Sequence, residues 1–156
     1  MITEALIRLR LSEIEYDVKF DTWARGNNME TPNKKVLYTG GKMRDWLLRQ
    51  VENAVDEIKA ALRWCAYDHA HMTDDEIMDA PDYWEIRLRW DGEPWHGSES
   101  GLKSFAHQFV VNSALAAWYA MVGLPADFYL LRAEESKTKL IASARRTSMM
   151  ARPFRL

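Results

Sequence analysis

The sequence has very little cysteine and no long apolar run. Cys65 is the single cysteine, which excludes an intramolecular disulfide framework and permits a reducing compartment. No apolar run approaches the roughly 20 residues that a membrane-spanning helix needs. The N-terminus also lacks the basic segment and apolar stretch of a signal peptide. We therefore expect a protein made in a cytoplasm, with no membrane among its partners.

The common signatures of catalysis and ligand binding are missing as well. The sequence contains no glycine-rich phosphate loop, no nucleophile elbow and no zinc-protease helix motif. Cys65, His69 and His71 stand near several aspartates, but no second His or Cys group with zinc-like spacing accompanies them. We accordingly predict no metal site, no cofactor and no enzyme, although a catalytic site assembled from scattered residues would leave no such signature.

The charges nearly balance, but they are unevenly distributed. A formal net charge of −2 argues against a protein whose whole surface binds nucleic acid. Residues 68–99 hold ten acidic residues and two arginines, whereas residues 136–156 hold six basic residues and no acidic one. Opposite charges on separate regions suit head-to-tail contact between copies of the chain. The simpler alternative is two solvated surfaces of unlike sign.

Apolar residues recur at helical spacing in four segments. In the first, residues 3–18, Ile7, Leu9 and Leu11 also alternate with arginines, so a strand remains an alternative there. The other three helices are predicted over residues 44–65, 102–122 and 125–146. With 156 residues, 47% of them hydrophobic, the chain suits a single domain. We predict a mainly α fold, a helical bundle over residues 1–146.

One segment alternates as a half-buried strand does. In residues 83–90, every second side chain is large and apolar, and Asp91-Gly92 follows as a tight-turn signal. This pattern predicts a β-hairpin over residues 83–95 as a small excursion from the bundle. Glycine, proline and asparagine mark residues 20–43 as a long loop, and residues 68–82 are interpreted as a polar linker.

The helix over residues 44–65 is expected to pack against the helix over residues 102–122. Small side chains at Ser113, Ala116, Ala117 and Ala120 let two helix axes approach closely, so we expect the second of these helices to be central. The predicted contact joins Leu48, Val51, Val55, Ile58 and Leu62 to Phe105, Phe109, Ala116 and Ala120.

Residues 147–156 form a predicted extended basic tail. This segment has enough apolar surface to anchor in a groove but too little to nucleate a core, so we expect it to dock on another polypeptide. Trp46 and Trp64 fall off the apolar stripe of their helix and belong either to the core edge or to a partner surface. The candidate interface residues are Trp46, Trp64, Trp84, Trp90, Arg145, Arg146, Arg152, Phe154 and Arg155.

The C-terminal third resembles the small neck proteins of tailed bacteriophages and prophages, the head–tail connector or adaptor class. The similarity lies in residues 109–119, the Gly123-Leu124-Pro125 break, the charged helix after it and the Arg152-Pro153-Phe154-Arg155 ending. The chain is similar to proteins encoded by phages of gut bacteria of the Bacteroidales type. Members of this class are helical bundles with a β excursion that form rings beneath the portal.

The resemblance implies a structural protein of the virion neck, present in the bacterial cytoplasm during assembly. Its partners would be copies of itself together with portal and tail proteins. A second hypothesis is a small nucleic-acid-binding or regulatory protein with a helical core. In that case Arg145, Arg146, Arg152 and Arg155 would contact phosphates and Phe154 would stack on a base, without sequence specificity.

Overall fold

A computed structural model of the chain describes residues 2–29, 41–72, 82–92 and 94–145. The elements follow in the order β1 (Ile2–Arg10), α1 (Leu11–Ala24), α2 (Gly41–Ala61), β2 (Ala66–Met72), β3 (Tyr83–Asp91), α3 (Glu99–Met121) and α4 (Asp127–Ala144). The expectation of a mainly helical chain with a small β component is confirmed. The predicted tail lies outside the described residues, as do residues 30–40 of the predicted loop over residues 20–43. The loop is shorter than predicted, because residues 20–24 belong to α1 and residues 41–43 belong to α2.

The N-terminal segment is a strand that continues directly into a helix. Alternation places Ile7 and Leu9 on the buried face of β1, so the strand alternative is correct up to Arg10. Helical spacing takes over at Leu11, whose N–H donates to the Asp82 carbonyl oxygen at 2.8 Å. The helix interpretation of residues 3–18 is therefore wrong for the first half of that segment.

The β component is a three-stranded antiparallel sheet with the order β1-β3-β2. Ile7 lies opposite Ile86 and Leu9 lies opposite Trp84, which brings apolar residues of β1 and β3 together on the inner face. In the described part of the chain, this sheet does not contain the return strand of the predicted hairpin over residues 83–95. Pro94 has no N–H to donate, and β1 and β2 already pair with both edges of β3.

The predicted polar linker over residues 68–82 is also incorrect at its start. Residues 66–72 form β2, which pairs with β3 through a register that includes His69 opposite Ile86. A short polar strand such as β2 carries little apolar periodicity, and its pairing with β3 determines its conformation. Residues 73–81 lie outside the described residues.

The helices cover the inner face of the sheet, and α3 is central as predicted. It contacts α1, α2, α4 and β1. Val51, Ile58 and Leu62 are fully buried, as the stripe over residues 44–65 predicts. Buried residues of α3 include Phe109 and Ala116, whereas Ala120 is exposed beside an open groove of about 390 Å³ between α3 and α4.

Local signals explain where the last two helices begin and end. The Ser98 side chain accepts a hydrogen bond from the Gly101 N–H at 3.1 Å, which caps the start of α3. Gly123 adopts a φ of +83°, a left-handed conformation that closes α3 at little cost. The chain then reverses into α4, so that Tyr129 near the start of α4 stacks on Tyr119 near the end of α3. The two helices therefore run antiparallel.

Candidate interaction surface

Three of the four tryptophans predicted at an interface lie in the core of this chain. Trp84 is fully buried, and its indole N–H donates to Glu52 Oε2 at 3.0 Å. Trp46 is also buried, and its ring meets the Trp118 ring edge-on with centroids 5.8 Å apart. Trp90 is buried as well. The structure therefore assigns Trp46, Trp84 and Trp90 to intramolecular packing and not to a surface that a partner can reach.

Three tryptophans and one arginine surround the end of α4, and we call this group the tail root: Trp64, Trp90, Trp95 and Arg145. The indole N–H groups of Trp90 and Trp95 donate to the carbonyl oxygens of residues 144 and 143, each at 2.9 Å. The last carbonyls of a helix have no partners within the helix, so these two bonds satisfy them. The Trp90 and Trp95 rings stack with centroids 4.5 Å apart.

The tail root also contains the two predicted interface residues that remain exposed. Trp64 is 45% exposed, and the Arg145 guanidinium lies 5.6 Å from the centre of its ring. This spacing is typical of a cation–π contact. Arg146, Arg152, Phe154 and Arg155 lie outside the described residues. The structure therefore fixes the end of α4, up to Arg145.

A second aromatic group lies on the solvent side of α1, and we call it the α1 stripe: Tyr16, Phe20 and Trp23. Their exposed fractions are 68%, 56% and 64%. Spacings of four and three residues place the three side chains on one side of the helix, opposite buried Leu11, Ile14 and Val18. The Tyr16 and Phe20 rings stack with centroids 6.2 Å apart, and Trp23 lies 6.1 Å from Phe20.

Two carboxylates, those of Glu13 and Asp17, lie beside Tyr16 of the α1 stripe. Asp17 Oδ2 lies 2.6 Å from His107 Nε2, and Glu13 Oε1 lies 3.7 Å from Lys103 Nζ. Both acidic side chains keep about half of their surface exposed. Together with Tyr16 they border an open depression of about 700 Å³ between α1 and α3. The α1 stripe therefore has carboxylates beside its aromatic rings, and each carboxylate contacts a basic side chain of α3.

The far end of α1 is fixed to α3 and α4 by a shared carboxylate. The hydroxyls of Tyr119 and Tyr129 donate to Asp21 Oδ1 at 2.9 and 2.8 Å. Burial, together with the bond to Asp21, raises the pKa of Tyr129 to about 12 and shifts the Tyr119 pKa in the same direction. Arg25 lies over the Tyr129 ring at 5.3 Å. These contacts hold the α1 stripe facing outward.

The sequence contained a signal for the α1 stripe that our interpretation missed. A helix over residues 3–18 and a loop from residue 20 divide α1 in two, which separates Tyr16 from Phe20 and Trp23. The spacing of four and three residues continues through Trp23, and it indicates one aromatic side on one helix. The glycine and asparagines at residues 26–28 indicate a loop, but that loop begins only after α1 ends at Ala24.

Metal and thiol chemistry find little support in the described part of the chain. There, no three His, Cys, Asp or Glu side chains come together as a metal-binding group. The side chains of His69 and His71 lie outside this description. Burial raises the pKa of the Cys65 thiol to about 12, so the reactive thiolate is disfavoured. None of the helices described has the length and apolar content to cross a membrane.

Comparisons with protein-family models, with curated proteins and with solved structures find no match to this chain.

Proposed function

We propose that this protein is a structural component of a phage virion, a head–tail connector or adaptor that assembles with copies of itself beneath the portal. The α1 stripe is the observation that supports self-association. Its three large aromatic side chains are each more than half exposed on a helix whose other side is in the core. Contiguous apolar surface of this kind marks interaction sites on soluble proteins.

The phage assignment rests on the sequence resemblance of the C-terminal third. Residues 109–119 lie in the C-terminal half of α3, and the Gly123-Leu124-Pro125 break separates α3 from α4. A helical core with a small sheet and a basic terminal segment is compatible with that class. The proposal places the protein in the virion neck, with portal and tail proteins as further partners.

The charge beside the α1 stripe favours a protein partner over a nucleic acid. Glu13 and Asp17 border the aromatic side chains and offset the basic Lys103 and His107 beside them, so no excess of positive charge attracts a phosphate backbone there. The nucleic-acid hypothesis therefore depends on the basic tail and not on this surface.

The test is the mass of the protein in solution, measured by light scattering and native mass spectrometry over a range of concentrations. We expect oligomers of defined mass for the natural chain and monomers for the Phe20→Ser/Trp23→Ser double variant. Tyr67→Ser is a matched control, because Tyr67 is 49% exposed on β2, a strand of the sheet, and not on α1. The control should assemble as the natural chain does.

A parallel titration with fluorescent duplex DNA at two salt concentrations separates the second hypothesis. A chain that stays monomeric at every concentration and binds duplex DNA with a steep salt dependence would overturn the connector proposal. Weak DNA binding by a protein that forms defined oligomers would support it.

A further inference from the structure

We infer that the α1 stripe of one copy of this chain inserts into the groove between α3 and α4 of a second copy. The inference rests on the proposed self-association and names the two surfaces that would meet. It assigns the α1 stripe as the convex surface and the groove as the concave one. The contact is therefore head to tail, in contrast to a symmetric contact between two α1 stripes.

The groove between α3 and α4, which we call the α3–α4 groove, is an open apolar hollow of about 390 Å³. On the α3 side it is lined by Phe109, Ser113, Ala116, Ala117 and Ala120. On the α4 side, Leu130 adds a large apolar side chain that is 54% exposed. The four small side chains of α3 leave space above this helix, so the groove can accept bulky apolar side chains from outside.

The volume of the α3–α4 groove fits two aromatic rings. A cavity of about 150 Å³ holds one benzene molecule, so about 390 Å³ has room for two rings of that size. The Phe20 and Trp23 rings of the α1 stripe have centroids 6.1 Å apart. Ala116 and Ala120 are separated by about 6 Å along α3, at roughly 1.5 Å per residue. Two neighbouring rings of the stripe therefore match the spacing of the small side chains in the groove, as knobs match holes.

Burial of apolar surface, and not charge, stabilises this contact. Beside the stripe, Glu13 contacts Lys103 of the same chain at 3.7 Å. At the rim of the α3–α4 groove, Glu57 and Glu134 share Lys137, each at 3.5 Å. Neither surface therefore carries a large excess of charge, and like-charge repulsion does not oppose their contact. Removing exposed rings from water contributes about 25 cal/mol for each Å² of apolar area.

The chain's own α1 stripe cannot enter the groove, because α1 packs on the opposite side of α3. Ser104 and His107 border the depression between α1 and α3. Ser113 and Ala116, which line the α3–α4 groove, each follow nine residues later. Nine residues make about two and a half helical turns, so the two pairs point about 180° apart around α3. A second copy is therefore the source of the stripe.

The separation of the two surfaces also determines how copies add to each other. A copy that has inserted its α1 stripe into a neighbour still presents a free α3–α4 groove. Repetition of this head-to-tail contact gives a ring or a filament. A symmetric contact between two stripes would instead use the same surface on both copies and close as a dimer. The inferred contact is thus of the kind that a ring beneath the portal needs.

The test is photo-crosslinking of the full-length protein with a benzophenone amino acid in place of Phe20. Equal amounts of ¹⁴N and ¹⁵N protein are mixed in dilute solution and concentrated together before irradiation. Crosslinked peptides are identified by mass spectrometry, and the crosslinked position is located by fragmentation. We expect crosslinks from position 20 to residues 113–120 or 130–134, in pairs that carry both isotopes.

Ala120→Trp fills the α3–α4 groove from within, because Ala120 is exposed there. This variant should keep the helical circular dichroism of the natural chain, lose the crosslinks and assemble about tenfold more weakly or worse. Ala142→Trp is the matched control. Ala142 is exposed on α4, nine residues after Ala133 of the groove and so about 180° away around the helix. The control should crosslink and assemble as the natural chain does.

Each other outcome has a distinct meaning. Crosslinks confined to pairs of one isotope would place position 20 against its own chain and overturn this inference. Defined oligomers in which position 20 crosslinks to residues 11–24 or elsewhere on a second copy would overturn it while leaving self-association intact. Unchanged assembly of Ala120→Trp would do the same. A chain that is monomeric before irradiation would overturn the proposed function itself.

Discussion

The core tryptophans and the α1 stripe use the same kind of side chain in opposite ways. Trp84 and Trp118 are fully buried, and each donates its indole N–H to an oxygen of this chain. Phe20 and Trp23 of the α1 stripe are more than half exposed. A buried aromatic ring with a satisfied N–H stabilises the fold, whereas an exposed ring adds little to it. The degree of burial therefore separates aromatic residues that stabilise the fold from aromatic residues that a partner can reach.

The largest expected effect tests the core side of this comparison. Trp118→Ala removes a fully buried ring that meets Trp46 and donates to the Asn27 carbonyl oxygen at 3.0 Å. We expect the free energy of unfolding to fall by about 3–5 kcal/mol, because the substitution leaves a large cavity. Urea denaturation followed by circular dichroism measures it. A loss below about 1 kcal/mol would show that this part of the core collapses easily or is poorly packed.

The next prediction tests how far the core extends along α3. Ala116 is buried, whereas Ala120, one helical turn later, is exposed. Ala116→Leu should overpack the core and lower the free energy of unfolding by about 1–3 kcal/mol. Ala120→Leu is the matched control, and its expected effect on stability is within about 0.5 kcal/mol. Urea denaturation measures both changes. Equal losses of stability at the two positions would show that the core does not end between Ala116 and Ala120.

The sequence predicted those elements whose signals are local. The apolar stripe of α2, the glycine break between α3 and α4 and the alternation in β3 each depend on neighbouring residues. Pairing between distant segments was not predictable in this way. β1 and β2 pair with the two edges of β3, and no pattern within residues 66–72 indicates that pairing.

The candidate site was predictable only in part, for a related reason. Tryptophan is enriched at interfaces and is also frequent in cores, so residue type alone did not separate Trp84 from Trp64. Burial, which depends on the whole fold, makes that distinction. Helical spacing did indicate the α1 stripe, but only for a helix that continues to Ala24.

The hydroxyl pair on Asp21 gives a smaller effect, and it depends on pH. Tyr129→Phe removes a 2.8 Å hydrogen bond and should lower the free energy of unfolding at neutral pH by about 0.5–1.5 kcal/mol. The pKa of Tyr129 rises from 10.0 to about 12 on folding, so the folded chain keeps a proton that the unfolded chain loses. This contribution to stability is fully present below pH 10.0 and is lost as the pH rises towards about 12.

Tyr129→Phe should therefore make the decline of stability between pH 10.0 and about 12 less steep. Tyr119 shifts in the same direction, so Tyr119→Phe is expected to act alike and the double variant more strongly. Tyr16→Phe is the matched control, because the Tyr16 side chain is largely exposed on the α1 stripe. Melting temperatures across this pH range measure the effect. An unchanged slope in the double variant would contradict the role assigned to the Asp21 contacts.

The smallest expected effect on stability is at the α1 stripe itself, and it is the sharpest test of the comparison. Trp23→Ser removes a large aromatic ring, as Trp118→Ala does, but the Trp23 side chain is 64% exposed. We expect the free energy of unfolding, measured in dilute solution, to change by less than about 0.5 kcal/mol. If the variant is as destabilised as Trp118→Ala, Trp23 belongs to the folding core. The α1 stripe would then be part of the core and not a surface available to a partner.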